Sequence, residues 1–190
     1  MSVPDPLLLP VPDGCVVRTG TDELGAGTSV ESACGTRRYR LSRTWDPDRP
    51  RIAWCLLNPS TASADAADQT LRRVVGFSVA WGFGSAEVVN LFSLRSTDPQ
   101  GLVGHDDPEG PHADEAIDRA VAGADGAAVD AGHRGLGAEC PGQKRLVRAI
   151  RIDKAEIPFE HGNTVRPAKL DHFGAGDSVH AVIAGAGPNL

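Results

Sequence analysis

Two short apolar runs interrupt a chain that otherwise mixes polar and apolar positions: IAWCLL at 52–57 and VVNL at 88–91. Both are too short for a helix and read as buried strands. Between them the period changes. Leu71, Val74, Val75, Ser78 and Val79 recur at helical spacing, with Arg72 and Arg73 off that face. Asp68 or Thr70 supplies an N-cap and Gly82 a stop. Strand, helix and strand make a βαβ unit with a parallel pair. Upstream, residues 38–45 alternate large and polar side chains, and DPDRP at 46–50 turns them toward 51–57, so these two strands are expected to form an N-terminal β-hairpin. Downstream, 112–124 predicts a second helix with Ala113, Ile117, Ala120 and Val121 inward. Prolines at 4, 6, 10 and 12 make residues 1–36 an extended, loop-rich arm, with a short strand at 15–18 and loop over 19–29. After Asp125 no period of either kind persists, and 126–190 reads as an irregular tail.

Composition narrows this to a soluble α/β domain of residues 37–125 with an arm and a tail. The 190 residues carry a net charge of −6, which gives no support to a large basic footprint. No apolar run approaches the roughly 20 residues of a membrane span, and the N-terminus lacks the basic region of a signal peptide. Cys15, Cys34, Cys55 and Cys140 form no CxxC pair, which suits free thiols in a cytoplasmic protein.

Candidate chemistry gathers where the two strands run out, the place where open α/β sheets bind ligands. Asn58 precedes Pro59, which bends the chain sharply. Ser60 and Thr61 add hydroxyls there, and such a corner holds a water, an anion or nothing more than a turn. Asn90 lies inside an apolar run, where an amide needs partners. It either ties down a neighbouring loop or reads the polar edge of a base. Arg95 and Thr97 follow it as phosphate contacts or as solvated loop residues. Asp65 and Asp68 serve as acid/base groups or as helix caps. The six histidines show no metal-ligand spacing, no nucleotide-binding glycine loop is present, and neither a metal nor a cofactor is expected.

RRYRLSRTW, IAWCLLNPSTASADAADQTLRR, WGFGSAEVVNLFSLRSTDPQGL and DPEGPHAD, in this order, resemble the bacterial and phage domain-of-unknown-function 1643 family from about Arg37 to Asp125. More distantly, two of these motifs resemble the uracil-DNA glycosylase superfamily. Asn58-Pro59 is similar to the Asn-Pro of its first motif, whose flanking glycines are Leu56 and Ser60 here, and VVNLFSLRSTDP is similar to the strand ending in its base-reading asparagine. That resemblance implies a three-layer α/β/α sandwich around a short, mostly parallel sheet. It implies a hydrolase of an N-glycosidic bond in which Asn58 positions a water, Asn90 grips a flipped base, and Ser60, Thr61, Arg95 and Thr97 steady phosphates. DNA or a nucleotide is the implied partner. A non-catalytic nucleic-acid or nucleotide-binding module and a small-molecule enzyme on the same fold remain open. The third superfamily motif has no match after Asp125, so the tail is expected to be frameshifted or poorly ordered.

Overall fold

The computed structural model describes residues 11–102, 104–130 and 181–184. Seven strands form one mixed sheet: β1 (Cys15–Asp22), β2 (Gly25–Ser32), β3 (Arg38–Thr44), β4 (Arg51–Leu56), β5 (Ser85–Asn90), β6 (Gly126–Asp130) and β7 (Ala181–Ala184), in the spatial order β1-β2-β3-β5-β4-β6-β7. Helix α1 (Gln69–Ala80) connects β4 to β5, and α2 (Ala113–Ala122) precedes β6. A 3-10 turn at Pro99–Leu102 lies between β5 and α2.

Strand β5 is buried at all six positions, so it takes the centre, between β3 and β4. The βαβ unit is formed as the period change predicts, with β4 and β5 parallel and Leu56 opposite Asn90. Asp68 caps α1 by accepting from Leu71 N at 2.8 Å, and Gly82 follows with a φ of 88°. The expected hairpin of β3 with β4 is not formed, because β5 stands between them. The connecting turn explains why. Trp45 N and Asp46 N both donate to Gly84 O, and Gly84 N donates to Pro50 O, so the turn, closed by Arg49 N donating to Asp46 O at 3.3 Å, also grips the residue before β5. A β-carbon on Gly84 would collide with the Asp46 carbonyl, which is why the clamp needs a glycine.

Two further expectations are corrected. The sheet is not mostly parallel: β4 pairs in parallel with β5 and β6, and the other four pairings are antiparallel. Residues 19–29 are not a loop, since β1 and β2 each run eight residues and meet in a tight turn at Gly25, φ 120°. Their glycines and threonines resemble loop composition, yet Gly20 and Gly27 are strand residues against which another segment packs. The tail expected to be irregular falls largely on 131–180 and 185–190, outside the described residues; β6 and β7 within it belong to the sheet.

One helix covers each face. On the α1 face, Leu71, Val74 and Val75 pack on Leu41, Ile52, Trp54 and Val88. Trp54 stacks on Trp81 at 5.4 Å and donates its indole N–H to Ser78 Oγ at 3.0 Å. On the other face, Ala116, Ile117 and Ala120 of α2 pack on Ala53, Cys55 and Val89. The α2 layer is built on small side chains, whereas Trp54 of β4, Phe77 of α1 and Trp81 just after it stack in the α1 layer. No helix among the described residues is long and apolar enough to cross a membrane.

Candidate functional site

Beyond β4 the chain runs as a loop over residues 57–68, LNPSTASADAAD, before α1 begins. Its small and polar residues bury little apolar surface of their own, so its position depends on polar anchors. Three arginines supply them. Arg38 Nη1 donates to Ala62 O at 2.7 Å, Arg43 Nη2 to Ser63 O at 2.7 Å, and Arg95 Nη1 to Ser60 O at 3.2 Å and Ala62 O at 3.3 Å. The loop rests on the glycines of the first hairpin. A β-carbon on Gly27 would collide with Ala64 O, and one on Gly20 would lie 2.5 Å from Asp65 Cβ.

The guanidinium groups of Arg38 and Arg43 are buried and that of Arg95 is half-buried, and two of the three are matched by carboxylates. Arg43, fully buried, pairs with Asp22 at 2.7 Å; that contact holds the Asp22 carboxyl below its usual 3.8. Arg95 pairs with Glu31 at 2.7 Å, and Ser29 Oγ donates to the same carboxylate at 2.8 Å. Arg38 has a backbone acceptor but no ion-pair partner among the described residues. Burial, reinforced by repulsion from Arg95, lowers its pKa to about 10.

The two asparagines emerge together at the carboxyl edge of the parallel pair. Leu91 N donates to Leu56 O and Phe92 N to Leu57 O, extending the register beyond the strands to the residue before Asn58. Asn58 Nδ2 donates to Ser96 O at 2.7 Å and to Pro59 O at 3.1 Å, while Ser96 N donates to Pro59 O at 3.0 Å. These bonds stitch the loop after β4 to the loop after β5 and fix the amide. Its Oδ1 accepts no hydrogen bond among the described residues. Asn90 is 3% exposed, and neither Nδ2 nor Oδ1 has a partner among the described residues. Ala86 and Val88 face α1, and the alternation of β5 places Asn90 on that same face.

The remaining candidates are arranged around this edge. Ser60 is half-buried and offers its carbonyl to Arg95, whereas Thr61 and Thr97 are exposed. Arg95 is engaged by two carbonyls and Glu31. Both oxygens of Asp68 accept from backbone, Leu71 N and Ala62 N, and exposed Asp65 accepts from Ser63 Oγ at 2.7 Å. Arg38, Arg43, Glu31 and Asp22 carry no sequence signal of a shared site; only the positions of arginine within the alternation of β3 hint that some point inward.

The opposite face has a hollow lined by Tyr39, Arg40, His112, Glu115 and Arg119, away from both asparagines. Tyr39 and His112 meet edge to face at 5.3 Å, and Arg40 forms a buried ion pair with Glu87. Among the described residues no group of three or more His, Cys, Asp or Glu could hold a metal ion.

A family model described as a protein of unknown function, DUF1643, matches residues 38–147. The match continues past Asp125 and takes in β6. No curated protein and no solved structure matches the chain.

Proposed function

Because the chain belongs to the DUF1643 family, whose description assigns no activity, function has to be read from its own residues, and we propose that the carboxyl edge of β4 and β5 is the nucleobase-reading site of an N-glycosidic bond hydrolase. The observation that carries this is Asn90. Its carboxamide is buried with neither donor nor acceptor matched among the described residues. Such a group is costly to bury, and its paired donor and acceptor complement the edge of a base. Asn58 completes the reading. Its amide nitrogen is anchored to two carbonyls, which leaves Oδ1 to accept a hydrogen bond from a water and so aim that water at C1′. An amide is too weak a base to deprotonate that water, so rate enhancement rests on positioning and on stabilising the departing base. The base is flipped from its stack to reach the site, and the surrounding segments part to admit it, since Asn90 is covered. Ser60, Thr61 and Thr97 line the approach as phosphate contacts. The helix on each face of the sheet supports the finer fold we propose, the α/β/α sandwich of uracil-DNA glycosylases.

The test is incubation with oligonucleotides carrying uracil, mismatched and modified bases, scored as abasic sites. Wild type releases at least one base, and Asn58→Ala lowers the rate at least 100-fold while binding persists. Failure of the whole panel, or full activity in Asn58→Ala, overturns the proposal.

A second reading is favoured by Arg95, whose guanidinium is engaged by Ser60 O, Ala62 O and Glu31 instead of facing a phosphate path. In it the same edge takes a free nucleoside or nucleotide, as a binding module or a small-molecule enzyme. Nucleoside binding without release of any base from DNA is its signature.

A further inference from the structure

Three guanidinium groups lie beneath the 57–68 loop, and their charges are unevenly matched. Arg43 has Asp22 and Arg95 has Glu31. Arg38, 4% exposed, has no ion-pair partner among the described residues, and its buried Nε has no acceptor. Around it stand Arg95 and Arg43, which repel it, and Asp68 and Glu31, which attract it from beyond ion-pair distance. Asp68 already accepts from Leu71 N and Ala62 N, and Glu31 from Arg95 and Ser29. A buried cation left in this condition favours any negative charge brought beside it. The depressed pKa of about 10 reports the same field, and it leaves Arg38 charged at neutral pH.

Arg38 and Asn90 share a neighbourhood. They lie on the adjacent strands β3 and β5, and Arg38 N donates to Ser93 O, just beyond Asn90. Arg38 reaches the loop on the α1 face through Ala62, a member of the core cluster on the face to which Asn90 belongs. One unmatched cationic donor and one unmatched amide on a single face define a ligand with two properties: a planar edge carrying a donor and an acceptor, and a negative charge. We infer that the heterocycle read by Asn90 is bound as an anion, a ring deprotonated at an imide nitrogen, with Arg38 as its counter-charge. This rests on the base-reading role of Asn90, which both readings above share, and names the charge state that site selects; a ring that is already anionic is a poor leaving group, so selection of the anion belongs to the second reading, binding without release.

The experiment is calorimetric titration of the full chain with two probe pairs: uracil against 5-nitrouracil, which is ionised at neutral pH, and hypoxanthine against xanthine, which ionises within the accessible range. The expected result is at least tenfold tighter binding of 5-nitrouracil than of uracil. Affinity for xanthine should rise as pH is carried through its ring ionisation, while that for hypoxanthine stays level. Arg38→Gln should lose the preference for the anion and Arg38→Lys should keep part of it, with folding checked by circular dichroism. If Arg38→Gln does not fold, Arg38→Lys and the wild-type pH series decide. Equal affinity for neutral and ionised partners, or a preference unchanged in Arg38→Gln, overturns this inference and leaves base reading intact. Absence of binding by all four probes overturns both.

Discussion

Asn90 occupies a position where the sheet would be more stable with a hydrocarbon. A buried amide without partners forgoes about 1–3 kcal/mol, so Asn90→Leu should raise the unfolding free energy by about 1–2 kcal/mol in denaturant titration while abolishing ligand binding. A destabilised Asn90→Leu would mean that the amide is satisfied in the folded chain, and the functional argument would lose its footing. Asp22 makes the opposite case. Its side chain is 5% exposed and its partner Arg43 is fully buried, so Asp22→Asn strands a cation in the interior and should cost about 3–5 kcal/mol. The pH dependence follows from the direction of its shift. The carboxyl titrates below 3.8 when folded, so the pair's contribution is whole above the ordinary carboxylate range and is lost as acid carries pH down through the folded value. Wild type should therefore weaken below about pH 4, and Asp22→Asn should show a flatter curve there. Asn58 and Asn90 could be picked out of the sequence because an amide in or beside an apolar strand contradicts its surroundings. Asp22, Glu31, Arg38 and Arg43 could not, because their partners are backbone carbonyls and side chains far along the chain, and no spacing rule links them.

The loop at 57–68 is the element whose position decides whether the two asparagines work together. It lies close enough to β2 that Gly27 has no room for a methyl group: the added carbon would meet Ala64 O and the Arg43 guanidinium. Gly27→Ala should therefore displace loop and arginine together, costing about 1–3 kcal/mol and lowering activity or binding at the Asn58 edge beyond what the stability loss explains. Gly76→Ala, on an open helix surface, is the control and should be neutral or stabilising. The same close approach explains what the sequence concealed. Helix α1 was legible because its cap and its period agree, and β4 and β5 because their apolar runs are short and bounded. The first hairpin was obscured because its strands use glycine where the loop needs clearance. The pairing partner of β3 was obscured because the turn at 46–50, besides its internal bonds, is hydrogen-bonded at both ends to Gly84, more than thirty residues away in sequence.

Across the molecule, cations are abundant among the described residues but, Arg38 apart, already matched or turned inward. Arg38, Arg40, Arg43 and Arg95 point into the protein, and at the surface Arg37, Arg49, Arg72 and Arg119 pair with Asp107, Asp46, Glu23 and Glu115. With a net charge of −6, this surface offers duplex DNA few groups that could displace counterions. Each phosphate neutralised adds about 0.9 to the slope of log affinity against log salt, so binding governed by the described surface should give a slope of about 2 or less. Measuring affinity for one oligonucleotide duplex across a salt series checks this. A shallow slope fits recognition confined to the proposed base-reading edge, by a ligand no larger than a few nucleotides. A slope steeper than about 5 would require a backbone-tracking surface, and the residues to supply it would be sought in 131–180, where Arg134, Lys144, Arg145, Arg148 and Arg151 stand close together in the sequence. Charge-reversal at Arg145 and Arg148 would then flatten the slope, whereas in the shallow-slope case it would leave the slope unchanged.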